Sequence, residues 1–433
     1  MSKKRLSYFA LGCKLNFAEA SAMAAAFKPF DYELVRFGEN ADLVIINTCS
    51  VTETANKKSR KAIQKAIRTS PQAVIVVTGC YAQLKPDDIL AIDGVDYIFG
   101  AGEKSALAEM ADKLEKQTHT CILHSDIRKS PGFLSAWSAG ERTRSFLKVQ
   151  DGCDNFCSYC TIPLARGKSR NLPIKTLTSQ AKEIAENGFR EIILTGVNIA
   201  DFGKTTGESF HELLKSLSQI EGIDRFRLSS TEPDLLHNEL IDFVLEDPRF
   251  MPHFHIPLQS GSDEMLRMMR RKYDTSLFAG RIERIRKADP SAFIGIDLIV
   301  GVPGETEERF RESYDFAASL DVSFIHVFTY SERENTLAMK HKPVVPNSIR
   351  KDRSRLFHEL SEKKSIPFYQ RHINQVRPVL FEASMKNGMI HGFTDNYLRV
   401  AVPGDYASVN QIRDVRLDSV NENGIFIGKI HKP

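Results

Sequence analysis

The chain has 433 residues, 42% hydrophobic and 26% charged, with a formal net charge of +4. These values exclude global disorder and a fibrous repeat, and the length exceeds one ordinary core, so about three domains are expected. The slight basicity permits a polyanionic partner without requiring one, and no stretch approaches a membrane-spanning length, so a cytoplasmic protein without a membrane partner is expected. Seven cysteines, an odd number without an export signal, point to metal or redox chemistry rather than a disulfide framework.

Along the chain, apolar strand-like runs at 6–11, 42–46 and 73–77 alternate with helical stretches from Ala18 and over 56–68. This is the rhythm of a parallel sheet with helices on its faces. Each run leads to a cysteine: Cys13, Cys49 and Cys80. Ligands collect outside the carboxyl ends of such strands, so three residues distant in sequence can meet there. Polar, Gly/Pro-containing sequence over 118–144, which holds Trp137, reads as a linker. From there, strands at 145–149, 191–195, 225–229, 253–257, 293–300 and 323–330 predict a full or partial barrel of six βα units, with its active site at the carboxyl ends of the strands. After Pro367, short runs at 376–382, 397–402, 414–420 and 424–429 predict a small antiparallel barrel of a kind that often binds nucleic acid. The fold class is therefore α/β, with domains at 1–140, 141–367 and 368–433.

The sharpest motif is Cys153-Asp154-Asn155-Phe156-Cys157-Ser158-Tyr159-Cys160. Three thiolates this close can ligate three irons of a 4Fe–4S cluster and leave the fourth open for a substrate. A zinc site would need a fourth Cys or His at a matching spacing, and none is near. The spacing of Cys13, Cys49 and Cys80 is no local metal motif, and buried structural cysteines compete with a ligand role. His253 and His255 share one face by the strand period of two, as candidates for the barrel interior or for hydrogen-bonded rim positions. Three basic clusters are candidates to grip phosphates: Lys57, Lys58, Arg60 and Lys61; Arg166, Lys168 and Arg170; and Arg267, Arg270, Arg271 and Lys272.

The three-cysteine run, with an aromatic residue before its last cysteine, resembles the radical-SAM signature, in which the open iron holds S-adenosylmethionine (SAM) and an electron cleaves it to a 5′-deoxyadenosyl radical. That resemblance places cofactor contacts at Tyr159, Gly196, Asn198, Ser230, Glu232, Gln259, Asp297 and Gly301. With Gly12-Cys13-Lys14-Leu15-Asn16, Asn47-Thr48-Cys49, Gly79-Cys80, Ile162-Pro163 and Pro257-Leu258-Gln259-Ser260-Gly261-Ser262, nearly the whole chain resembles the methylthiotransferases: an amino-terminal cluster domain, a radical-SAM barrel and a carboxyl-terminal TRAM domain. The resemblance implies that Cys13, Cys49 and Cys80 hold one 4Fe–4S cluster and Cys153, Cys157 and Cys160 another. One SAM then serves as radical source and a second as methyl donor. It leaves Cys121 as an ordinary thiol and names no catalytic side chain. It also implies a monomer that takes a tRNA anticodon stem-loop and an electron donor such as flavodoxin or ferredoxin, with RNA contacts at Arg166, Lys168, Arg170, Tyr397 and Arg399.

The Gly-Cys-Lys-Leu-Asn start and Leu194-Thr195-Gly196-Val197-Asn198 look like the branch that methylthiolates C2 of N6-threonylcarbamoyladenosine at position 37 of tRNA. The isopentenyl-adenosine branch more often reads Gly-Cys-Gln-Met-Asn, and the branch acting on a ribosomal protein Gly-Cys-Pro-Lys-Asn. A reading of another class, a non-catalytic RNA-binding iron–sulfur protein, leaves unexplained why each trio supplies only three ligands.

Overall fold

The computed structural model describes residues 3–130, 132–139, 143–404 and 408–431. The amino-terminal unit is a six-stranded, all-parallel sheet in the order β2-β1-β3-β4-β5-β6, formed by β1 (Lys4–Ala10), β2 (Tyr32–Val35), β3 (Leu43–Thr48), β4 (Val74–Gly79), β5 (Tyr97–Phe99) and β6 (Cys121–Leu123). Its central strand β3 is buried along its whole length, which is why it reads as a continuous apolar run rather than an alternating one. Helices α1 (Lys14–Ala25) and α2 (Glu53–Thr69) follow β1 and β3, and α2 is started by Thr52, whose hydroxyl accepts the Ala55 amide at 3.1 Å.

The stretch expected as a linker is largely built into the fold. β6 extends the first sheet with the exposed Cys121, and Ala136 and Ser138 pair with β7, the carbonyl of Ala136 accepting the Lys148 amide at 2.9 Å. Pro131 and residues 140–142, where the first domain boundary was expected, lie outside the described residues.

The second unit opens with β7 (Arg144–Lys148) and the short pair β8 (Gln150–Asp151) and β9 (Arg170–Asn171). The remaining strands are β10 (Glu191–Thr195), β11 (Arg225–Leu228), β12 (His253–Gln259), β13 (Phe293–Val300) and β14 (Phe324–Thr329). They form two parallel three-stranded sheets, β11-β10-β7 and β12-β13-β14, that together make a partial barrel. Leu147, Ile192, Phe226, Phe254, Ile294 and Ile325 point outward into one core under the helices, so their sequence neighbours face the lumen.

The carboxyl-terminal unit is a closed five-stranded barrel, β15 (Val376–Lys386), β16 (Met389–Thr394), β17 (Arg399–Pro403), β18 (Ile412–Val420) and β19 (Ile425–Ile430), in the order β15-β16-β17-β19-β18. Two features differ from the expectation. β16 is an additional strand, and β17 pairs parallel to β19, so the barrel is not purely antiparallel.

This barrel docks on the amino ends of the strands of the second unit. Arg225 donates to the carbonyls of Phe393 (3.2 Å) and Pro378 (2.8 Å), Arg227 to that of Asp395 (2.9 Å), and Arg144 pairs with Glu382 (2.8 Å). Glu191, fully buried at the centre, holds Arg227 at 3.0 Å. Because Arg227 is a desolvated charge, its removal strands Glu191 without its closest partner. Arg227→Met is expected to lower stability by about 3–5 kcal/mol in urea unfolding. Arg311→Met, which breaks an exposed pair with Glu307 on the helix Glu307–Ser319, is expected to match wild type.

Candidate active site

The three amino-terminal cysteines stand at the carboxyl ends of adjacent strands. Cys13 caps α1 after β1, Cys49 follows β3, and Cys80 follows β4 and opens the short helix α3 (Cys80–Leu84). Two glycines bring these loops together. A Cβ on Gly12 (φ +94°) would lie 2.7 Å from the Cys49 sulfur, and one on Gly79 (φ +102°) 2.4 Å from the Thr48 carbonyl. Cys49 and Cys80 are buried and Cys13 is exposed. Burial pushes the Cys49 thiol up to about 12, with Cys80 adding to it.

Cys153, Cys157 and Cys160 lie on the loop between β8 and the helix Ile162–Arg166, beyond the carboxyl end of β7. The amides of Asn155 and Ile162 donate to the sulfurs of Cys153 (3.5 Å) and Cys160 (3.4 Å), and Arg271 donates to that of Cys157 at 3.1 Å. Burial raises all three thiols, to about 11 at Cys153 and about 12 at Cys160. Metal binding must therefore displace protons here, and the donors already aimed at sulfur favour the thiolate that results. Among the described residues, neither trio gathers its sulfurs within 4.8 Å of one another, the convergence that a single ion takes.

Cys160 lines a cavity of about 200 Å³. Val51 and Thr52, just beyond Cys49, line one side, and Tyr159, Cys160, Gln259, Asp297 and Phe328 the other. Gln259 reaches it from a β-bulge, with a left-handed backbone (φ 65°) that a non-glycine residue adopts only at some cost.

Between the trios lies a buried ionic lattice that sequence reasoning missed. Glu19 on α1 pairs with Lys104, Lys148 (2.8 Å) and Arg166 (3.0 Å), and Asp151 with Lys148 (2.7 Å), Arg166 (2.8 Å) and Arg170 (3.3 Å). Burial opposes the Glu19 carboxylate, yet Arg166, Lys104 and Lys148 together hold it well below the usual range. Arg166 also donates to Asn16, whose amide binds the carbonyls of Leu11 (2.7 Å) and Thr48 (3.0 Å), so the lattice reaches the loops of Cys13 and Cys49 directly. Four cations against two carboxylates leave positive charge in excess, and Cys80 and Cys13 are among the groups whose negative forms stabilise charged Arg166. An anionic iron–sulfur group on those thiols matches that excess.

This geometry corrects several expectations. Arg166, 2% exposed, and Arg170 are interior members of the lattice and do not grip phosphate; in that cluster only Lys168 is exposed. Arg271 turns inward onto Cys157 and Glu232. Tyr397 is not presented for base stacking, because its ring packs against His253 (4.6 Å between centroids), Phe293 and Phe393 under the guanidinium of Arg227. Arg399 is exposed on β17. Gly301 is structural: its amide donates to Glu305, and Arg350 fills the space that a Cβ would need.

Of the other expected cofactor positions, Ser230 bonds His255 (3.1 Å), which bonds Asp297 (2.7 Å), and burial raises Glu232 to about 7 against the charge of Arg271. Gly196 sits over the Gln150 side chain, which accepts the amides of Val197 and Asn198. Neither polar atom of the Asn198 amide, in a side chain 2% exposed, has a partner among the described residues. A buried, unsatisfied amide beside the cysteine loop fits a polar ligand such as SAM.

Comparison with known proteins bears on this geometry. Residues 5–100 match the model described as "Uncharacterized protein family UPF0004", and residues 147–317 the "Radical SAM superfamily". The chain is 36% identical to "Threonylcarbamoyladenosine tRNA methylthiotransferase MtaB" of Bacillus subtilis over 95% of this chain and 93% of that one. It is 36% identical to the protein of that name from Aquifex aeolicus, over 94% and 98%. It is 32% identical to "tRNA-2-methylthio-N(6)-dimethylallyladenosine synthase" of Syntrophus aciditrophicus over 89% and 86%. Among solved structures, the radical S-adenosylmethionine methyltransferase TsrM from Kitasatospora setae, with tryptophan substrate and a SAM analogue bound, aligns at a TM-score of 0.58 and 14% identity, over 75% of this chain and 72% of that one. That likeness concerns the fold.

The lattice has a pH signature. A carboxylate depressed on folding contributes its stability in full above its ordinary value, 4.5 for Glu19, and loses it as pH falls through the lower folded value. The stability gap between wild type and Glu19→Gln, read from urea midpoints, is expected to be constant from pH 7 to about 5 and to narrow below about 4.

Proposed function

Since the chain belongs to the methylthiotransferase family of radical-SAM enzymes, we propose that it adds a methylthio group to C2 of N6-threonylcarbamoyladenosine at position 37 of tRNA. The observation that carries this reading is a cavity lined by Cys160 of one trio and by Val51 and Thr52, the residues that follow Cys49 of the other. Relatives named for threonylcarbamoyladenosine, matched at 36% identity over nearly the full length, support the choice of substrate.

Enzymes of this family use SAM and 4Fe–4S clusters, and when bound these supply the carbon radical, the sulfur and the methyl group. In this chain Cys13, Cys49 and Cys80 are assigned to one cluster and Cys153, Cys157 and Cys160 to the other. Tyr159, Gln259 and Asp297, which line the cavity, and Asn198, with its unpartnered amide, are assigned to SAM, with Gly196, Ser230 and Glu232 around them. Arg271 orients Cys157 by its hydrogen bond, and Glu232 in turn fixes Arg271. The Glu19 lattice sets the distance between the trios. It also keeps water from between the two domains, because its members are buried and satisfy one another.

The partners on this reading are a tRNA anticodon stem-loop and a one-electron donor such as flavodoxin or ferredoxin, met in the cytoplasm by a monomer. Lys168 and Arg399 are the exposed cations assigned to RNA, and Lys57, Lys58 and Lys61 on the exposed face of α2 extend that surface near Cys49.

Anaerobic protein with both clusters is expected to carry about eight irons per chain, and either triple Cys→Ala variant about four. With reductant and SAM, loss of Cys153, Cys157 and Cys160 should abolish 5′-deoxyadenosine. Loss of Cys13, Cys49 and Cys80 should leave it while abolishing methylthiolation of a threonylcarbamoyl-modified stem-loop. Methylthiolation of an isopentenyl-modified loop instead would overturn the substrate, and absence of 5′-deoxyadenosine from the loaded wild type would overturn the chemistry.

A further inference from the structure

One of the three basic clusters has no part in the chemistry above. Arg271 turns inward, but Arg267, Arg270 and Lys272, on and just after the helix Asp263–Met268 that follows β12, are exposed. Among the described residues, none of these three has a carboxylate partner. The acidic residues of the same stretch are engaged. Asp263 accepts the Thr275 amide and Asp274 that of Leu277, both at 2.8 Å, and Glu264 pairs with Arg309. A positive surface is left without local compensation.

This surface is joined directly to the second cysteine loop. The carbonyl of Met269 accepts the Ser158 amide at 3.0 Å, and Arg271 donates to the Cys157 sulfur at 3.1 Å. On the other flank of the loop, the exposed Lys204 pairs with Asp154 at 3.2 Å. Between these two attachments stands Phe156, 52% exposed, with a left-handed backbone (φ 45°) that a bulky residue adopts only at a cost. An aromatic ring held in water, with cations on the segments to either side, has the makings of a small recognition surface with an apolar centre and a charged rim.

RNA and an acidic protein both suit positive charge. Position favours the protein. The base to be modified has to reach the cavity, which is lined from the Cys160 end of the loop and by Val51 and Thr52, whereas Phe156, Arg267, Arg270 and Lys272 do not line it. Phe156 is instead the neighbour of Cys157 in the chain, and Arg270 is the neighbour of the residue bonded to the Cys157 sulfur. SAM is assigned to the cavity side, so this face of the loop is open to an electron that enters from a partner.

We propose that Phe156, with the flanking cations Arg267, Arg270, Lys272 and Lys204, is the docking surface for an acidic one-electron donor protein. The inference rests on the assignment of Cys153, Cys157 and Cys160 to the cluster that meets SAM. One electron passes: the reduced group of the partner is oxidised and the cluster on these cysteines is reduced, with no bond made or broken. Encounters of this kind bury little surface, and complementary charge governs how fast they form.

The test uses full-length, cluster-loaded protein and two probes, flavodoxin and ferredoxin. Binding of each oxidised, dye-labelled donor is read by fluorescence anisotropy, and reduction of the cluster by each reduced donor is followed by stopped-flow absorbance. Wild type should bind at least one donor, more weakly at high salt than at low salt. The triple variant Arg267→Glu/Arg270→Glu/Lys272→Glu should weaken that binding and slow the electron transfer by about tenfold or more. It should make 5′-deoxyadenosine with dithionite, and bind the stem-loop, as wild type does. A triple variant that binds the donor and takes its electron at the wild-type rate overturns the surface, as does a wild type that binds neither donor. Loss of stem-loop affinity with donor binding intact makes this an RNA surface and also overturns the proposal. Iron content identifies a misassembled triple variant, in which case the single variants Arg270→Gln and Lys272→Gln decide. A wild type that makes no 5′-deoxyadenosine even with dithionite overturns the enzymatic reading itself.

Discussion

Glu19 is held by three cations from three separate segments, Lys104 of its own domain and Lys148 and Arg166 of the next, in a place that water does not reach. Each of these charges alone would be costly to bury, and together they satisfy one another only if the two domains keep one relative position. The lattice therefore acts as a gauge. Through Asn16 it reaches the Cys13 and Cys49 loops, and through Asp151 it reaches the strand that leads to Cys153. The excess of positive charge has a chemical sense as well, since it lies beside thiols that become anionic once they hold iron.

The rest of the architecture follows from the placement of strand ends. Both α/β units are parallel, so each gathers its loops at one edge, and the lattice turns those edges toward one cavity. The carboxyl-terminal barrel closes the other end of the lumen through Arg225, Arg227 and Tyr397.

Much of this was legible in the residues. The six cysteines were readable because each is tied to a strand end or to a tight local spacing, both of which are local properties. The six strands of the partial barrel were readable for the same reason. Arg166 and Arg170 were read as a phosphate grip because a basic run shows its own charges and not its partners, and Glu19 is 147 positions away from Arg166. Arg271 misled in the same way, since Cys157 lies 114 positions from it. Tyr397 sits in a segment that resembles an RNA-binding pattern, and only the docking of the barrel shows that its ring is used between domains. β16 was missed because its apolar positions are interrupted by His391 and Gly392, and no local pattern reports that β17 and β19 run parallel.

The measurement that tests the central claim most directly is nucleoside mass spectrometry of tRNA from cells lacking this gene, complemented with wild type or with either triple cysteine variant. The account predicts that 2-methylthio-threonylcarbamoyladenosine disappears on deletion, that its unmethylthiolated precursor accumulates, and that only wild type restores the product. Full restoration by a variant lacking Cys13, Cys49 and Cys80, or an unchanged nucleoside profile on deletion, would contradict it.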